Sequence, residues 1–192
     1  MAEELRQDYG LDQLLFIPSY IPPHKSVADV ASPSDRLEMT RLSCRDNDRF
    51  TVSSMEIDAK GPSYTIYTLE ILTKTYPGEI FFVLGSDSLR EIATWKQYER
   101  LFELAHFLVV ARPGISFADA WDQAPSRLRH VFKHRDCYYL HESGKALIPA
   151  TVQGLDISST KIRAMVRAGK SIRYLVTDGV NAYILQRGLY IS

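Results

Sequence analysis

Cysteine is scarce in this chain. Only Cys44 and Cys137 occur in 192 residues, far apart and without a Cys-x-x-Cys spacing, which argues against a disulfide framework and a zinc site. Both are read as small buried thiols. Net charge is also lacking: 23 Lys plus Arg balance 23 Asp plus Glu, so no global field favours nucleic acid or an anionic membrane. Any anion site must be local. Long apolar runs are absent, since Leu14 to Ile17 and Ile80 to Leu84 fall far short of the ~20 residues needed to cross a bilayer. The first residues include Glu3, Glu4 and Arg6 and no apolar h-region, which argues against a secretory signal and for the cytoplasm. Gly-x-x-x-x-Gly-Lys-Ser/Thr, Gly-x-Gly-x-x-Gly and Gly-x-Ser-x-Gly do not occur. That demotes a P-loop enzyme, a dinucleotide-dependent dehydrogenase and a serine hydrolase. No repeat, low-complexity tract or linker-like shift marks a second domain, so residues 1–192 read as one.

What is present alternates between strand and helix signals. Met1 to Tyr9 reads as the end of a helix closed by Gly10, without a cap at its start. Apolar runs at Leu14 to Ile17, Ile80 to Leu84 and Phe107 to Val110 predict strands, with Phe50 to Val52, Cys137 to Leu140 and Leu155 to Ile157 as weaker candidates. Helices are expected over Ser34 to Cys44, from Pro62-Ser63 (Ser63 as N-cap) to Tyr76, within Leu89 to Ala105, and over Phe117 to Leu128. Two more are expected from Ser159 to Ala168 and from Thr177 to Arg187. Continuous apolar strands alternating with helices mean an α/β fold with a doubly wound parallel sheet, covered on both faces.

In such sheets ligands bind beyond the carboxyl ends of the strands. There the sequence places Pro22-Pro23-His24-Lys25, where an imidazole and an ammonium suit a phosphate, though the segment reads equally as a solvated proline turn. Gly85-Ser86-Asp87-Ser88 follows the strongest strand: Gly85 permits close backbone approach, and Asp87 either accepts from ribose hydroxyls or caps the next helix. Ser158, Ser159 and Thr160 open a helix with Lys161 and Arg163 close behind. Hydroxyls, free N–H groups and cations at one helix start suit an anion, the alternative being an ordinary serine cap. Trp95 offers either a stacking ring or a core residue. His130 and His134 lie four apart in the basic stretch Arg127 to Arg135 and could share a helix face, but they read as a solvated surface.

Taken in order, Ile21-Pro-Pro-His-Lys25, Gly61-Pro-Ser-Tyr-Thr65, Gly85-Ser-Asp-Ser88 with Trp95, and Ile157-Ser-Ser-Thr-Lys-Ile-Arg163 resemble the bacterial nicotinate-nucleotide adenylyltransferases. Ile172 to Val176 and Gly188 to Tyr190 resemble that family's C-terminal region. The resemblance implies a Rossmann-like fold and adenylyl transfer from ATP to nicotinate mononucleotide, with Mg²⁺ carried on the ATP. It also implies residue roles: His24, Lys25, Ser158, Ser159, Thr160 and Arg163 for phosphates, Gly85 and Asp87 for ribose, and Thr65, Trp95 and Lys96 for the nicotinate ring and its carboxylate. The family's first strand and its His-x-Gly-His element are not in the sequence, so the domain is expected to be incomplete at its amino end and slow in catalysis. Loss of a central strand would leave its neighbours unpaired. Alternatives are a non-catalytic nucleotide-binding module and a nicotinamide-mononucleotide or phosphopantetheine adenylyltransferase. A class I aminoacyl-tRNA synthetase fragment ranks last.

Overall fold

The computed structural model describes residues 1–21, 30–112, 114–153 and 157–191. In chain order the helices are α1 (Ala2–Asp8), α2 (Pro33–Cys44), α3 (Met55–Asp58), α4 (Thr65–Thr75), α5 (Ser86–Arg90), α6 (Tyr98–Leu104), α7 (Phe117–Gln123), α8 (Ser126–His130), α9 (Ser159–Arg167) and α10 (Asp178–Gln186). The strands are β1 (Leu14–Phe16), β2 (Phe50–Val52), β3 (Phe81–Gly85), β4 (His106–Val110), β5 (Phe132–Arg135), β6 (Tyr138–His141) and β7 (Ala146–Ala150). They fall into two compact units, a central one from Tyr64 to Gln153 and a terminal one formed by Ala2–Ser63 with Gly154–Ser192.

The central unit holds a five-stranded sheet in the order β3-β4-β7-β6-β5. β3, β4 and β7 run parallel, while β6 pairs antiparallel with both β7 and β5. β4 is apolar on both faces because it is covered on both, with Phe107, Leu108 and Val109 fully buried. Aromatic rings fill the layer beside it: Phe102 lies 4.5 Å from Phe107, and Phe132 meets Phe102 and Trp121 edge to face, each at 5.5 Å. α7 starts on a reciprocal cap, Ser116 accepting from the Asp119 amide while Asp119 accepts from the Ser116 amide.

The terminal unit holds a two-stranded parallel sheet, β1 with β2. Its core gathers Ile162, Ile172, Val180 and Ile184, with Leu42 of α2 against them. α10 packs on α2 where Gly179 faces Leu42, and an added Cβ there would lie in ordinary contact with Leu42 at 3.5 Å. Ser32 caps α2 by accepting from the Asp35 amide at 3.1 Å. α1 ends where Gly10 takes φ +61°.

Several sequence expectations need correction. Among the described residues the strands fall into two parallel-dominated sheets, and the larger one is extended by an antiparallel ribbon that the sequence did not announce. That ribbon contains His134 on β5, while His130 ends α8, so the two share no helix face. β5 buries only Phe132 and exposes Lys133, His134 and Arg135, so its run of charges gave no strand signal. β7 contains Pro149, which disguises a strand. β6 pairs only with Ala146 and Leu147, so the proline breaks no rung on that side. Cys44 is buried, but Cys137 is exposed in the β5–β6 turn. Ser63 does not cap α4. Its hydroxyl instead accepts from the Tyr20 amide at 2.8 Å, and Tyr64 takes the cap position. The Leu155 to Ile157 candidate falls largely on residues 154–156, outside the described residues.

Candidate functional site

The carboxyl end of β3 shows why Gly85 is a glycine. Its φ of −77° is open to any residue, so the constraint is space: a Cβ there would meet Asp87 Oδ1 at 2.3 Å and Arg112 Nε at 3.2 Å. Gly85 thus leaves room for the Asp87 carboxylate. Asp87 Oδ1 is buried and has no hydrogen-bond partner among the described residues. An acceptor in that state is destabilising unless a donor arrives. Ser86, fully buried, joins this strand end to the next. It donates to the Ile115 carbonyl at 2.8 Å and accepts from the Arg112 amide at 2.9 Å.

A second cluster forms at the start of α4. Thr65 is the helix's first residue, and no side chain caps the turn. No acidic residue lies in that turn either, which leaves its positive end uncompensated. Lys96 reaches the same place: its ammonium sits 4.6 Å from the Tyr64 ring centre and 4.7 Å from that of Tyr67. The two phenol rings meet edge to face at 6.0 Å. A hydrogen bond with Tyr67, with added attraction from both phenols, raises the Lys96 pKa above the usual lysine range. Trp95, half-buried next to Lys96, packs edge-on against Phe82 at 6.2 Å. Thr65 and Lys96 thus come together through Tyr64, a residue the sequence reading quoted without a role. Tyr67 went unnoticed because an exposed tyrosine on a helix carries no signal of its own.

In the terminal unit, Ser158 caps α9, accepting from the Lys161 amide at 3.2 Å. This is the ordinary cap weighed from sequence, and it leaves the hydroxyl proton of Ser158 to donate. Ser159 and Thr160 remain exposed, and Arg163 donates to Thr160 Oγ1 at 3.3 Å. His24 and Lys25 lie outside the described residues. The two ends of their segment are nevertheless anchored. Arg36 donates to the carbonyls of Ser19 at 2.5 Å and Tyr20 at 2.8 Å on one side, and to that of Ala31 at 3.1 Å on the other. Burial lowers its pKa from the usual arginine value. Burial likewise raises the Tyr190 pKa, while Arg163 and a hydrogen bond with the Ala31 backbone pull it back. Arg36 was not a sequence candidate, because a single arginine in a helix resembles any surface charge.

A cytidylyltransferase-like family model matches residues 1–165. A protein of Syntrophotalea carbinolica described as "Probable nicotinate-nucleotide adenylyltransferase" is 42% identical over 195 residues, covering 100% of this chain and 89% of its own. One of Geobacter sulfurreducens with the same description is 40% identical, covering 99% of this chain and 89% of its own. The chain belongs to the nicotinate-nucleotide adenylyltransferase family. Its Rossmann-type α/β fold agrees with a solved structure of the Plasmodium falciparum nicotinic acid mononucleotide adenylyltransferase complexed with NaAD. That match has a TM-score of 0.67 at 16% identity and covers 99% of this chain and 90% of the other. The same enzyme complexed with APC matches at 0.65, with 14% identity, covering 94% and 83%. None of the described helices is long and apolar enough to cross a membrane.

Proposed function

We propose that this adenylyltransferase chain acts on ATP and nicotinate mononucleotide, giving nicotinate adenine dinucleotide and pyrophosphate, a step of NAD biosynthesis. The observation that carries the nicotinate assignment is the Lys96 ammonium held over Tyr64 and Tyr67 beside Thr65. A fixed positive charge and uncompensated amides favour a carboxylate over a neutral carboxamide. Asp87 takes ribose hydroxyls, and Ser159, Thr160 and Arg163, with His24 and Lys25, take phosphates. Ser158 contributes by fixing the α9 turn.

The reaction needs no protein nucleophile. A phosphate oxygen of the mononucleotide attacks the α-phosphorus of ATP in line, that P–O bond forms, and the bond to the β-phosphate oxygen breaks with pyrophosphate leaving. The protein's share is positioning and countercharge. Mg²⁺ enters with the ATP as part of the substrate. Among the described residues no three His, Cys, Asp or Glu side chains cluster to hold a metal. A soluble ATP-dependent step of this kind suits the cytoplasm.

We further propose that catalysis by the residues present is slow. No His-x-Gly-His element occurs in the sequence, and loss of one such electrostatic group typically costs ~10²–10³ in rate. Pyrophosphate release from ATP, measured with nicotinate and then with nicotinamide mononucleotide, tests both claims. Slow release that favours the acid is expected. Equal rates or preference for the amide would overturn the nicotinate assignment, and no release with intact ATP binding would favour a non-catalytic binding module.

A further inference from the structure

The basic stretch of the sequence, which adenylyl transfer does not use, lies on the rim of the larger sheet. Residues 126–138 carry four Lys or Arg against one acid, Asp136, in a chain whose charges balance as a whole. Arg127 is paired with Glu99 at 3.0 Å. Lys133 and Arg135, both on β5, have no ion pair or hydrogen bond from their side chains among the described residues. β5 is also the edge strand: it pairs with β6, and no strand pairs with its other side among the described residues. In an antiparallel pair every second residue turns its N–H and C=O away from the partner, so β5 presents an open ladder. Its side chains alternate between the two faces of the ribbon. Lys133 and Arg135 stand on one face, across from Leu140 and Tyr138, and His134 stands on the other, its ring 4.9 Å from that of Tyr139.

An edge of this kind discriminates among occupants. A second copy of β5 alongside would set like charges against each other. A nucleic acid laid over one face would meet only part of the charge and none of the main-chain row. An extended polypeptide in the plane of the sheet uses both, because its backbone continues the ladder while its side chains alternate in step with those of β5. Carboxylates at every second position would then stand opposite Lys133 and Arg135. We propose that β5 docks an extended acidic segment of a partner protein, which adds as a further strand to the larger sheet.

Fluorescence anisotropy of labelled probes with the full chain tests this. The probes are a capped peptide of alternating Glu and Thr, the same peptide N-methylated throughout, its Lys–Thr counterpart, and an oligouridylate of matched charge. The Glu–Thr peptide should bind saturably and more weakly as salt rises. N-methylation keeps the charge but removes the ladder donors, and it should weaken binding about tenfold or more, as should the Lys–Thr sequence. Lys133→Gln and Arg135→Gln should each weaken the Glu–Thr peptide by about 1.5–5-fold, the worth of one exposed ion pair. Lys133→Glu combined with Arg135→Glu should reverse the preference to the Lys–Thr peptide. Both positions are exposed, so the melting temperature should stay as in the parent. Hydrogen exchange should show every second β5 amide slowed by the Glu–Thr peptide. The proposal falls if that peptide does not bind, if its N-methylated form binds equally well, or if the doubly reversed variant still prefers it. Tighter binding of the oligouridylate would overturn it in favour of a nucleic acid. All of these outcomes leave the adenylyltransferase reading as it stands.

Discussion

Single residues decide whether this site can hold a nucleotide, and Gly85 is the sharpest case. Its backbone would accept alanine, so Gly85→Ala should fold, but the new Cβ would occupy the place of Asp87 Oδ1. Nucleotide affinity should fall about tenfold or more, the loss of one good hydrogen bond, with the melting temperature nearly unchanged. A variant that binds as the parent does would remove Asp87 from the site. Arg36 predicts the reverse. Arg36→Met leaves the carbonyls of Ser19, Tyr20 and Ala31 without their donor, which should cost ~1–3 kcal/mol in denaturant unfolding. An unchanged midpoint would show that the clamp carries no stability. Gly85 and Asp87 were legible in the sequence because they follow its strongest strand. Arg36 and Arg112 were not, since their partners are backbone groups or side chains distant in sequence.

Among the elements, β3 is the most exposed to test. Phe81 to Leu84 form an apolar strand whose inner neighbour is β4 and whose other edge is unpaired among the described residues. In a parallel pair alternate amides point to opposite edges. Hydrogen exchange should therefore find β4 uniformly protected and every second β3 amide fast. Uniform protection along β3 would mean that its outer edge is already paired. Strong apolar runs made β1, β3 and β4 readable in advance. β5 and β7 were not readable, because charge in one and Pro149 in the other obscured a pairing that only long-range contact with β6 and β4 creates. The helix start at Ser158 was legible from its serine cap, whereas the caps at Ser32 and Ser116 were not read in advance. The reading failed at Ser63, whose hydroxyl is claimed by Tyr20.

At the scale of the whole molecule, acid should act on the two units at different pH. In the central unit, burial lowers the pKa of both His106 and His141. For His106 the nearby Lys145 ammonium adds to this, against a partial rise from Glu79. His106 Nδ1 accepts from the Ala146 amide at 3.0 Å, leaving Nε2 to donate to Glu79 at 3.1 Å, so the ring is held neutral. A histidine depressed on folding contributes stability that is full above ~6.5 and lost as pH falls through its folded value. In the terminal unit, hydrogen bonding from Ser32, then from Tyr183, with Arg187 nearby, lowers the Asp35 pKa. That contribution persists until pH drops below the ordinary carboxylate value of ~4. Both tryptophans, Trp95 and Trp121, belong to the central unit. Their fluorescence should therefore be lost at a higher pH than the later part of the helical circular dichroism, which α1, α2, α9 and α10 of the terminal unit carry, as acid is added. Coincident transitions below pH ~4 would contradict this order.

On the proposed function, this chain recognises the acid form of a pyridine nucleotide joined to adenylate. The most direct test is a calorimetric titration of the chain with nicotinate adenine dinucleotide beside one with nicotinamide adenine dinucleotide. The Lys96 ammonium and the α4 amides predict saturable binding of the acid form, tighter than the amide form by about tenfold or more. Equal affinity for the two, or no binding of the acid form, would contradict the account.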